Sequence, residues 1–130
     1  MFVLVLAAML NSACAPALQS GNGLVVGGVD PCSGLGFAPP GERYEAATVT
    51  VREGHISWEP AGPGSSTMIL PKVVSARQTV STNELYRFTL APGDYVLEAQ
   101  FPPPSNVTPF TAVTVKAGVT AVVDIPNMCK

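Results

Sequence analysis

His55 is the one histidine of this 130-residue chain, and it sits between Glu53 and Glu59. A histidine beside a carboxylate is the usual equipment of a general base. Ser57 or Ser65 could complete a Ser-His-acid set on paper, but no nucleophile-elbow pattern surrounds either serine. The spacing therefore predicts an exposed histidine at a strand end. The three thiols, Cys14, Cys32 and Cys129, lie far apart with no CxxC, and one histidine cannot complete a zinc set. Carboxylates are scattered singly without an Asp-x-Asp run, which argues against a calcium loop. Cofactors and metals are thus not expected. Phe37, Tyr44 and Trp58 fall in or beside turn-rich segments. Rings exposed on loops can stack on sugar faces, so these three are the candidate ligand contacts. The competing reading packs them in loops, with Trp58 capping the core.

The elements that must position these residues read as strands. Leu24 to Val29 is a first strand closed by Asp30-Pro31, and Ser33 to Gly41 is an aperiodic loop. Ala47, Val49 and Val51 alternate with Thr48, Thr50 and Arg52, a strand with one wet face. His55 to Glu59 is a short strand candidate, and Pro60 to Ser66 reads as a second loop. Met68 to Thr82 is β-branched but broken by Pro71, hence an edge strand or two strands. Tyr86, Phe88 and Leu90, then Tyr95, Leu97, Ala99 and Phe101, alternate about Ala91-Pro92-Gly93-Asp94. That pattern predicts a hairpin with an aromatic inner face. Phe110 to Lys116 and Val119 to Ile125 predict a second hairpin around Ala117-Gly118. No stretch shows sustained helical spacing.

Composition agrees. Hydrophobic residues make up 47% and charged residues only 12%, with 12 Gly and 13 Pro. This favours short strands joined by tight turns in one domain. The net charge of −2 and the lack of a basic run remove the electrostatic basis for nucleic-acid binding.

The first residues point to export. Phe2 to Leu10 is an apolar run too short to span a bilayer, followed by small residues. Ser12-Ala13-Cys14 resembles the end of a bacterial lipoprotein box, in which the cysteine receives the lipid. The Leu usual three places before that cysteine is replaced by Asn11. Cleavage after Ala15 without lipid, or a buried first strand, are the alternatives. On the lipoprotein reading, residues 1–14 are the signal peptide, 15–23 a tether and 24–130 the domain. The membrane is then a partner through an N-terminal lipid on Cys14. That leaves Cys32 and Cys129 as an even pair, expected to form a disulfide in an oxidising compartment.

About seven short strands with turns at this spacing predict an all-β, antiparallel sandwich. The run Tyr86-x-Phe88-x-Leu90-x-Pro92-Gly93-x-Tyr95-x-Leu97 resembles the carboxypeptidase regulatory-like domain. Gly28-Val29, Val49, Val51 and Val113-x-Val115-x-x-Gly118 fit as well, over roughly residues 24–126. The resemblance implies a prealbumin-like Greek-key fold in which the first and last strands run parallel side by side. It implies no catalytic activity, because such domains lack the zinc site and serve as folding, spacer or binding modules. The segment from Gly54 to Val80 carries residues beyond that pattern. The expected function is a non-enzymatic binding or structural module, exported and lipid-anchored, facing another envelope protein or a glycan. The alternative is a carbohydrate-binding domain using Phe37, Tyr44 and Trp58.

Overall fold

A computed structural model describes residues 21–31, 43–103, 105 and 107–127. Nine strands follow in chain order: β1 (Gly23–Gly27), β2 (Ala47–Glu53), β3 (Ser57–Gly62), β4 (Ser65–Ile69), β5 (Val73–Val80), β6 (Tyr86–Leu90), β7 (Gly93–Gln100), β8 (Phe110–Val115) and β9 (Thr120–Val122). The described residues contain no helix. The protein is an all-β sandwich. One sheet has the order β6-β1-β9 and the other β5-β2-β7-β8. The inward residues of both sheets, among them Val25, Tyr86, Phe88, Val49, Leu97 and Val113, form a single buried cluster. β3 and β4 pair only with each other.

β1 is antiparallel to β6 and parallel to β9, so the first and last strands are parallel neighbours, as expected. The parallel run continues as an isolated bridge between Val29 and Ile125.

Three expectations are corrected. The segment centred on Pro92-Gly93 is not a hairpin, because β6 pairs with β1 and β7 with β2 and β8. It is an arch that carries the chain from one sheet to the other. Pro92 has no N–H to extend a ladder. The hydroxyl of buried Tyr95 donates to the carbonyl of Ala91 at 2.7 Å, holding the corner in the manner of a tyrosine corner. The second expected hairpin, around Ala117-Gly118, is also an arch: β8 pairs with β7 and β9 with β1. The third correction concerns Pro60 to Ser66. It is no loop but the end of a hairpin, with Pro63-Gly64 as the turn between β3 and β4. Pro71 does divide Met68 to Thr82, as its missing donor requires, leaving β4 and β5 as separate strands.

The face of β2 and β7 turned away from the core is drier than alternation suggests. Val96 is fully buried there and Glu98 is 6% exposed. Arg52 reaches across this face, its Nε 3.3 Å from Glu98 Oε2 and its Nη1 donating to the carbonyl of Pro71 at 3.3 Å. The link between β4 and β5 is thereby fastened onto the sheet.

The Tyr86 hydroxyl donates to the carbonyl of Val123, pinning β6 to the chain after β9. Burial, with lesser contributions from the nearby charges of Asp124 and Asp30, raises its pKa above the ordinary tyrosine value. Burial raises Tyr95 as well. A group whose folded pKa lies above its unfolded value contributes stability that is complete below the unfolded pKa and is lost as pH rises beyond it. The melting temperature is therefore expected to stay level up to about pH 9 and fall above about pH 10. Tyr86→Phe is expected to lower stability at neutral pH by about 1–2 kcal/mol, since the Val123 carbonyl loses its donor. Above pH 10 the variant's melting temperature should fall less steeply than the parent's. Equal slopes in a pH series of thermal melts would contradict this account.

Candidate functional site

The strand registers collect several termini at one end of the sandwich. Glu53 faces Val73 on β5 and Tyr95 on β7, and Gly93 faces Val115 on β8. The β8–β9 turn closes onto the start of β1, with Gly118 N–H donating to Asn22 O at 2.8 Å and Leu24 N–H to Val119 O at 3.0 Å. This end therefore holds the end of β2, the starts of β5 and β7, the end of β8 and the entry of the chain into β1.

His55 sits here, just beyond β2. The backbone first brings the strands together, Gly54 N–H donating to Asp94 O at 2.9 Å. The imidazole Nε2 then lies 3.2 Å from Asp94 Oδ2, and Thr114 Oγ1 donates to Asp94 Oδ1 at 2.7 Å. His55, Ile56, Asp94, Ala112 and Thr114 help line an open cleft of about 350 Å³. The carboxylate partner is thus Asp94, not Glu53 or Glu59. Glu53 Oε2 instead accepts from Ser75 Oγ at 3.5 Å. The sequence could not reveal this pair, because 39 positions separate the two residues and only the β2–β7 register joins them. The order of contacts matters chemically. The threonine hydroxyl donates its hydrogen bond to the carboxylate and not to the imidazole, so His55 is not placed to activate it. The His55 side chain is 78% exposed and that of Asp94 42%. A contact so wet contributes at most about 1 kcal/mol. His55→Ala is accordingly expected to leave the melting temperature nearly unchanged and to remove no hydrolase turnover. A purified protein whose ester or peptide hydrolysis vanished with this substitution would contradict the expectation.

From the same end the β3–β4 hairpin leaves the sandwich. Every residue of β3 is exposed, and the hairpin makes no extensive contact with the two sheets. Trp58 is 65% exposed, so it does not cap the core. It stands opposite Met68 across the two strands, and Pro60 opposite Ser66 shares that face. Ser57 and Glu59 point to the other face with Ile69 and Thr67.

Tyr44 lies at the opposite end, before β2 begins. Asn83, in the left-handed region at φ 66°, accepts from Arg43 N–H at 2.6 Å and from Tyr44 N–H at 3.0 Å through its Oδ1. This clamp lays the Tyr44 ring over Gly28, where a Cβ would fall 2.1 Å from a ring carbon. Tyr44 and Trp58 are thus separated by the seven residues of β2, about 20 Å of strand, and do not share a groove. Phe37, Cys14, Cys32 and Cys129 lie outside the described residues. Among the described residues no three His, Cys, Asp or Glu side chains gather to hold a metal ion.

No protein-family model matches the chain, and no curated protein or solved structure is significantly similar to it.

Proposed function

We propose that the protein is a non-enzymatic binding module of the cell envelope, exported and held at the membrane by a lipid on Cys14. The observation that carries this reading is the β3–β4 hairpin. The core closes without it, yet it presents Trp58 to the outside. An isolated two-stranded hairpin is marginally stable in water, so it gains most from a surface to rest on. The hydroxyl at the His55 cleft is bonded to Asp94 and not to the imidazole, which supports a role other than hydrolysis.

The parallel pairing of β1 with β9 supports the prealbumin-like Greek-key reading and the likeness to carboxypeptidase regulatory-like domains. It also supports the Cys32–Cys129 disulfide, since the Val29–Ile125 bridge brings the two chain directions together shortly before each cysteine. The second reading is a carbohydrate-binding domain. Trp58 favours it, as an exposed ring on a projecting element, but Tyr44 is committed to Gly28.

The anchor is tested by labelling. Radioactive palmitate should enter the protein made in a bacterial host, and Cys14→Ser should abolish the label. Label that survives the substitution would refute the lipid site.

A further inference from the structure

We infer that the β3–β4 hairpin is a second membrane contact, with the face bearing Trp58 and Met68 resting in the headgroup region of the bilayer. The inference rests on the lipid-anchored reading and goes beyond it to the orientation of the domain.

The first argument is position. The chain enters β1 at the same end of the sandwich from which the hairpin leaves. The described residues begin at Gly21, seven positions after Cys14. At about 3.3–3.6 Å per extended residue, that link reaches no more than about 25 Å. β3 alone is six residues, about 20 Å long. A lipid on Cys14 therefore keeps the end of the sandwich from which the hairpin leaves within about 25 Å of the membrane surface, a distance comparable with the length of the hairpin.

The second argument is chemistry. Residues 57–69 contain a single charged side chain, Glu59. It lies on the face opposite Trp58, Met68 and Pro60. A ribbon with one apolar face and no charge on that face enters an interface at low desolvation cost. Tryptophan favours that layer, with an apolar ring and one N–H for the headgroups. Val73, 62% exposed, opens β5 four residues past the end of β4.

Trp58 is the sole tryptophan, so its fluorescence reports on the hairpin directly. The test uses the chain from Cys14 onward with a histidine tag before Cys14. The tag holds it on vesicles of phosphatidylethanolamine and phosphatidylglycerol that contain a nickel-chelating lipid. Replacing part of the lipid with brominated-chain lipid should quench Trp58 roughly twofold and shift its emission to the blue, as expected for a ring at the acyl boundary. Met68→Glu keeps the reporter and leaves the core untouched, and should lose both effects while its circular dichroism is unchanged. Acrylamide quenching as strong on vesicles as in solution would overturn the proposal. So would protection that appears only when peptidoglycan fragments are added, an outcome that favours a glycan. Because the tag supplies the tether, a failure of palmitate labelling overturns the anchor without deciding this measurement.

Discussion

Gly27→Ala is expected to be the most damaging single substitution in the domain. A Cβ at this position would fall 1.7 Å from the carbonyl oxygen of Val123 and 2.6 Å from the Tyr86 hydroxyl. Real Cβ atoms do not approach so closely, so something must move, and what must move is backbone. Val123 is fixed by its own N–H donating to Val26 O at 2.9 Å and by the Tyr86 hydroxyl bonded to its carbonyl. Displacing it breaks the join between β1 and the chain after β9, and with it the seam between the first and last strands. A loss of more than about 4 kcal/mol is expected, which for a marginally stable domain means failure to fold at ambient temperature. Gly28→Ala is the informative contrast. Its neighbour is the ring of Tyr44, a side chain that can swing away, so a loss of about 1–3 kcal/mol is expected with the fold retained. Thermal melts followed by circular dichroism separate the two. A cooperative Gly27→Ala melt near the parent temperature would show that the close approach of β1 to Val123 is wrong.

If Cys32 and Cys129 are paired as proposed, reduction is expected to give the largest effect obtainable without mutation. Closing a loop of nearly 100 residues stabilises by up to about 4.7 kcal/mol in the chain-entropy limit. For a domain of this size that corresponds to a melting temperature lowered by about 20 °C at the limit. The proposed bond would close the chain shortly beyond the Val29–Ile125 bridge, which lies at the end of the sandwich opposite the hairpin. There the parallel seam is narrow, β9 being three residues long and followed by the single Val29–Ile125 bridge. Terminal strands held so lightly open first when a domain unfolds locally. Reduction should therefore lower the melting temperature and leave the circular dichroism spectrum at ambient temperature unchanged. Cys32→Ser should match the reduced parent and show no further response to reductant. Free-thiol titration decides the pairing: both Cys32 and Cys129 alkylating in the unreduced, exported protein would rule it out.

Much of the architecture is legible in the linear order of residues. Period-two alternation in Ala47 to Val51, Tyr86 to Leu90 and Tyr95 to Ala99 marks the strands and names the side that faces the core, because successive side chains of a strand point to opposite faces. Pro71 and Pro92 mark where ladders stop, since neither can donate. Partner choice is another matter. A turn such as Ala91-Pro92-Gly93 or Ala117-Gly118 reverses the chain equally well within one sheet or between two. Here the Tyr95–Ala91 bond and the parallel seat beside β1 make both of them arches. The tertiary structure also decided which charges are dry. Glu98 and Arg52 occupy wet-face positions in their strands, but they pair with each other, and Arg52 also bonds the Pro71 carbonyl beyond β4. The same holds for the site. His55 was visible as a lone titratable group, but its partner Asp94 came from the β2–β7 register. Trp58 was visible as an aromatic near turns. That it stands on a hairpin outside the core, at the end where the chain enters, depends on which strands found room in the two sheets, and no local pattern encodes that competition.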